Sequence, residues 1–132
     1  MPARTSLEYV VIRVVPHVER LEFLNAGVVL FCKGARFLAS RIDTDLARLP
    51  HFAPDAPAGA IRTHLALIPL ICAGGPPSGP FAAWSASERF NWLAAPSSAI
   101  IQPSPVHGGV CVDPRIALDD LYDLLVRMPA RL

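Results

Sequence analysis

The sequence predicts an α+β domain built on an antiparallel sheet, and three observations carry that prediction. Strand-like runs crowd the first third of the chain, at 7–15, 26–33 and 35–42. Lys33-Gly34 separates the second run from the third, a turn tight enough for a hairpin. Two later stretches, near 57–73 and 114–128, place apolar residues at helical spacing. Two short pieces, 99–102 and 106–112, extend the sheet, and the two helices are expected to cover one face of it.

Leu7–Val15 opens the sheet, and its β-branched residues suit a pleated, packed surface. Val10, Ile12 and Val14 form one apolar face, while Tyr9, Val11 and Val15 make the other apolar too. Apolar residues on both faces mark a central strand. Arg13 is the exception. A guanidinium there needs a partner, and Glu19 and Glu22 are the nearest in sequence. Pro16 ends the strand, and His17–Leu24 is too short and too charged for a core helix, so it reads as a loop or a single turn. Gly27, inside the second strand, marks a bulge or a close backbone approach.

Asp43-Thr44-Asp45 opens a short helix, Asp45–Leu49, favoured by acidic residues at its start. Asp55 and Pro57 read as the cap and first-turn proline of the long helix that follows. Ile61, Leu65, Ile68 and Cys72 recur along one face of it; Pro69 is expected to kink it and Gly74-Gly75 to end it. The Gly74–Pro80 loop lacks the Gly-Lys-Ser/Thr of a phosphate cradle, and its prolines remove backbone donors. Ser85–Leu93 is a short helix or turn, capped by Ser85 or Ser87. Asp113 caps the last helix, with Pro114 at its first position and an apolar stripe of Ile116, Leu118, Leu121, Tyr122, Leu125 and Met128.

A chain of 132 residues fits a single domain, 1–132. Hydrophobic residues make up 52% and charged residues 17%, which supplies a core and excludes wholesale disorder. Twelve basic and eleven acidic residues leave a net charge of +1. That balance argues against nucleic acid, and a stripe of Arg13, Arg20, Arg36 and Arg41 would face acidic neighbours. Cys32, Cys72 and Cys111 form no Cys-x-x-Cys pair and sit among apolar or small residues, so they read as buried reduced thiols in a cytoplasmic protein. The longest apolar stretch, Leu65–Ala73, is too short to span a bilayer, and the N-terminus shows no secretory pattern. The four histidines show no ligand spacing, so neither metal nor cofactor is expected. No Gly-x-Ser-x-Gly is present for a serine nucleophile.

Three motifs in order give a resemblance. They are Tyr9-Val-Val-Ile-Arg-Val-Val-Pro-x-Val-Glu-Arg-x-Glu-Phe-x-Asn-x-Gly-Val-Val-Leu, Glu88-Arg-Phe-x-Trp-Leu-x-Ala-Pro, and Gln102-Pro-Ser-Pro-Val-His-x-Gly. Together they resemble an uncharacterised bacterial family, domain of unknown function thirty-thirty-seven, from about Tyr9 to Val126. The resemblance implies a small bacterial domain and brings no activity with it. It implies genomic neighbours encoding HipA-like kinases, and so a kinase of that kind as partner. The family pattern has an arginine after Ala95-Pro96, where this chain has Ser97. The polar residues shared with the pattern are Arg13, Glu19, Arg20, Glu22, Asn25, Arg89, Asn91, Ser98, Gln102 and His107.

Two functional readings follow. No complete catalytic constellation is present, so the leading reading is an accessory or regulatory protein-interaction module rather than an enzyme. The alternative is a small enzyme or a phosphate- or carboxylate-binding domain. In that reading Arg13, Arg20, Asn25, Arg89, Ser98 and Gln102 bind the ligand, and Glu19, Glu22 or His107 supplies acid–base chemistry. The charged cluster at 13–25 equally suits an internal ion-pair network, and Trp84, Phe90 and Trp92 suit packing.

Overall fold

The computed structural model describes residues 3–127. Five antiparallel strands form one sheet: β1 (Thr5–Val14), β2 (Leu24–Cys32), β3 (Phe37–Ile42), β4 (Ile101–Pro103) and β5 (His107–Cys111). β1 is central, as its two apolar faces require. β2 and then β3 lie on one side of it, and β4 and β5 share the other. The helices are α1 (Leu49–Phe52), α2 (Ala58–Ala73), α3 (Ala86–Ala94) and α4 (Pro114–Leu125).

The helices cover both faces, not one. Val10, Ile12 and Val14 of β1 pack with Ile61, Leu65 and Ile68 of α2 and with Phe90 and Leu93 of α3. Leu7, Val28, Leu30 and Cys32 pack with Leu118 and Tyr122 of α4 on the other side. A strand apolar on both faces leaves one face wet unless helices lie on each, so α2 and α4 divide the sheet between them. Within the expected stripe of α4, Leu118 and Tyr122 are buried and Ile116 is exposed; Met128 lies outside the described residues.

Two bulges flank β1 at the same height. Between Ile12 and Arg13 the register with β2 shifts by one, leaving Ala26 as the extra residue. Gly27 sits beside it: a Cβ there would stand 2.9 Å from the Arg41 carbonyl oxygen and 2.5 Å from Ile42 Cδ1. On the other side, β4 and β5 are one edge strand interrupted at Ser104-Pro105-Val106. Ser104 mends the break. Its N–H donates to Val11 O at 2.8 Å, and its Oγ accepts from Val11 N–H at 2.8 Å.

Local chemistry explains the remaining boundaries. The hairpin between β2 and β3 turns through a 3-10 turn, Lys33–Ala35, and its left-handed residue is Arg36 rather than Gly34. The helix expected at 45–49 forms later, as α1. Asp43 Oδ1 accepts from the N–H groups of Asp45 and Leu46, and Leu46 takes a positive φ, so this segment is a turn. Asp55 caps nothing; it faces His17 at 3.3 Å, and α2 begins after Pro57 without a side-chain cap. The α2 helix continues through Pro69. Ser85 and Glu88 form a reciprocal capping box on α3, and Asp113 caps α4 through the N–H groups of Arg115 and Ile116. No single helix among the described residues is long and apolar enough to cross a membrane.

Candidate functional site

The polar residues singled out by sequence fall into five separate places. Arg13 stands at the bulge, with Asn25 opposite on β2 and Gln102 opposite on β4. Its guanidinium lies over the Phe23 ring, 4.1 Å from the centroid. Arg13 makes no ion pair among the described residues, with Glu19 and Glu22 or any other carboxylate, and its buried Nε has no hydrogen-bond partner. Asn25 donates through Nδ2 to Leu125 O at 2.9 Å, tying β2 to the end of α4, and its Oδ1 is buried without a partner. Gln102 donates to Ala99 O at 2.8 Å, closing its own loop.

Glu19, Arg20 and Glu22 are exposed on and after a 3-10 turn, Val18–Arg20. Arg20 Nε bonds Glu22 at 2.6 Å. That hydrogen bond, and the guanidinium charge behind it, hold the Glu22 carboxyl below the usual carboxylate range. A carboxylate so held is a weak base. Glu19 lies 3.9 Å from His17.

His107 is elsewhere. It pairs with Tyr9 on β1, and the two rings stack at 5.3 Å. From Tyr9 to Arg13 the strand runs about 13 Å at 3.3 Å per residue. Glu19 and Glu22 lie beyond the far end of β1, so the fold does not bring His107 to the carboxylates. Ser98 is exposed on the loop between α3 and β4.

Arg89 is committed to the fold. It donates to Ile71 O and Cys72 O at 2.8 and 2.7 Å, and through Nε to Trp84 O at 3.3 Å. These carbonyls close the C-terminus of α2 and the segment leading into α3, so Arg89 fixes one helix against the other.

What that clamp positions is an apolar groove. Its floor is Ile12, Ile101 and Pro103 of the sheet; its walls are His64, Leu67, Ile68 and Ile71 of α2, Trp92 and Leu93 of α3, and Pro96 and Ser97. The cavity measures about 380 Å³. A second concavity of about 460 Å³, lined by Val18, Pro57, Ile61, Ala99 and Ile100, meets it at His64 and Ile101. Along α2 from Pro57 to Ile71 the two run about 20 Å at 1.5 Å per residue. Large apolar side chains stand open on its rim: Leu67 is 50% and Trp92 52% exposed. The Trp92 ring is braced edge-on by Phe81 at 4.8 Å. The sequence reading assigned Trp92 to packing, and its ring does pack on Phe81; it did not single out Leu67. The missed signal is that the second half of α2 is apolar off its core stripe as well as on it.

A family model described as Protein of unknown function (DUF3037) matches residues 9–126. The chain belongs to that family. No curated protein and no solved structure matches it. The DUF3037 span runs from Tyr9 in β1 to Val126 after α4, and so contains the whole groove, the bulge at Arg13 and the His107–Tyr9 pair. Among the described residues no group of three or more His, Cys, Asp or Glu side chains is placed to hold a metal ion.

Proposed function

We propose that this DUF3037 chain is an accessory or regulatory module that binds another protein through the groove between α2, α3 and the β4 edge. The observation that carries the reading is the groove itself. Leu67 and Trp92 expose large apolar surface around a concave floor, as docking surfaces do. His64 and Ser97 are the polar side chains in its lining, and no carboxylate stands there to serve as a base. An apolar-faced segment of a partner suits such a groove. The resemblance names a HipA-like kinase as the first partner to try. The test is affinity capture from the source organism with wild-type bait and with a Leu67→Lys, Trp92→Ala bait of unchanged melting temperature. A protein held by the first and lost from the second is expected. Equal capture by both baits refutes the groove.

A second reading rests on Arg13. Its guanidinium has no carboxylate partner among the described residues, and amide side chains flank it on both neighbouring strands. A small phosphate or carboxylate ligand is the chemistry such a group takes. Titration of inorganic phosphate or acetate, followed by NMR, is expected to move the Gln102 resonances in wild type and not in Arg13→Gln. Shifts that are the same in both proteins remove this reading.

A further inference from the structure

The sheet has two edges, and they differ. The β3 edge is covered by α2 on one face and α4 on the other, and Arg41 on it is paired with Asp119 at 3.1 Å. Charge and cover of that kind keep an edge from pairing with other chains. The β5 edge has neither. From Pro103 to Val112 the chain carries no Asp, Glu, Lys or Arg, and His107, Gly108, Gly109 and Val110 are all exposed.

The direction of its backbone groups follows from β1. Val11 N–H turns to Ser104 and Val15 N–H to Ile100 O, so the odd-numbered residues of β1 bond toward the β4–β5 side. Tyr9–His107, Leu7–Gly109 and Thr5–Cys111 are then the hydrogen-bonded pairs. Gly108 and Val110, between them, turn their N–H and C=O groups outward, and no partner meets them among the described residues.

We infer that β5 is a homodimerisation edge, pairing antiparallel with β5 of a second copy about a twofold axis at Gly109. The argument for a second copy is self-complementarity. An axis at Gly109 sets Gly108 opposite the partner's Val110, with outward-facing groups meeting outward-facing groups. Val110, 61% exposed, meets the bare backbone of the partner's Gly108 and no charged side chain. No like charges are brought opposite each other along the strand. Gly108 and Gly109 place no side chain in the way of close approach. The result is one continuous ten-stranded sheet.

A strand pair this short buries less than the ~1,200 Å² of a standard stable interface, so the dimer is weak, with a dissociation constant of about 0.1 mM. Sedimentation velocity of the full chain up to about 1 mM reads that range directly. Wild type is expected to dimerise, and Val110→Lys to weaken the dimer at least ~10-fold by placing charge beside the axis. Gly109→Cys supplies an independent readout. A Cβ at 109 meets Leu7 Cδ1 at 3.6 Å, an ordinary contact, so the substitution is tolerated. Facing residues at a non-hydrogen-bonded antiparallel position stand about 4.5 Å apart at Cα, within disulfide range. Mild oxidation is expected to give an intermolecular link that peptide mapping places at 109–109. A chain that stays monomeric throughout leaves the edge to a strand of some other protein and overturns the proposal. So does a dimer that ignores Val110→Lys, or one that gives no 109–109 link.

Discussion

Arg89 stands where a side chain on Gly74 would have to go: a Cβ there would lie 2.9 Å from Arg89 Cζ. Gly74 also has φ +71, so two independent constraints keep it a glycine. The bare turn lets Arg89 reach the carbonyls of Ile71 and Cys72 at the end of α2. Arg89→Ala is expected to cost about 2–3 kcal/mol, because it leaves part-buried carbonyls without donors. Arg89→Lys recovers only part of this, since an ammonium cannot reproduce the planar fork. Gly74→Ala is expected to cost about 1–3 kcal/mol through backbone strain and the Arg89 contact. Urea unfolding measures all three, and an Arg89→Ala protein as stable as wild type contradicts the clamp.

Gly27 meets fixed backbone as well as the Ile42 side chain. Gly27→Ala presses a methyl against the Arg41 carbonyl, which the β2–β3 ladder holds in place. The expected loss is about 1–3 kcal/mol. Gly59→Ala serves as the control: its Cβ meets nothing within 4 Å and it lies in α2, so it is expected to be neutral or slightly stabilising. Thermal melts of the pair separate a steric cause from a general intolerance of alanine.

Ser104 substitutes for a missing stretch of strand. Its hydroxyl is the acceptor for a buried Val11 N–H, and it is buried to 3% exposure. Ser104→Ala leaves that N–H unmet and is expected to destabilise by about 1–3 kcal/mol. Amide hydrogen exchange at Val11 is expected to speed up with it. An unchanged Val11 exchange rate rules out the mending role.

How much of this was legible in the sequence depends on whether the information was local. The three N-terminal strands, the Ser85 and Asp113 caps and the Gly27 bulge were readable, because each is written within a few neighbouring residues. The placement of α2 and α4 on opposite faces was implied by the two apolar faces of β1 but not by either helix, whose stripes do not say which side of a sheet they meet. The candidate site was read least well. Nothing near Arg89 announces that it reaches back to Ile71, and nothing near His107 announces that its partner is Tyr9. The charges at 13–25 were legible as a cluster, but β1 carries Arg13 away from Glu19 and Glu22, which instead lie on an exposed turn.

Cys72 gives a pH dependence with a defined sign. Burial pushes its thiol up to about 11. The folded state therefore keeps a proton that the unfolded state loses above about 9, the ordinary thiol value. Between those values the folded state binds more protons, so stability is fully present below about pH 9 and falls as pH rises toward 11. A shift of this size corresponds to about 2–3 kcal/mol. Chemical denaturation at pH 8.0 and 10.5 is expected to show the drop in wild type and a smaller one in Cys72→Ala. An identical drop in both assigns the effect to other groups.

The most direct test of the interaction reading places a photoreactive amino acid at Trp92 on the groove rim, or at Leu124, which is 75% exposed on the outer side of α4. Irradiation in the source organism, followed by mass spectrometry, identifies what lies against each position. A protein cross-linked through residue 92 and absent from residue 124, and displaced when Leu67→Lys is added to the same chain, is the predicted result. The same adducts from both positions, or adducts at 92 that survive Leu67→Lys, contradict the groove as the docking site.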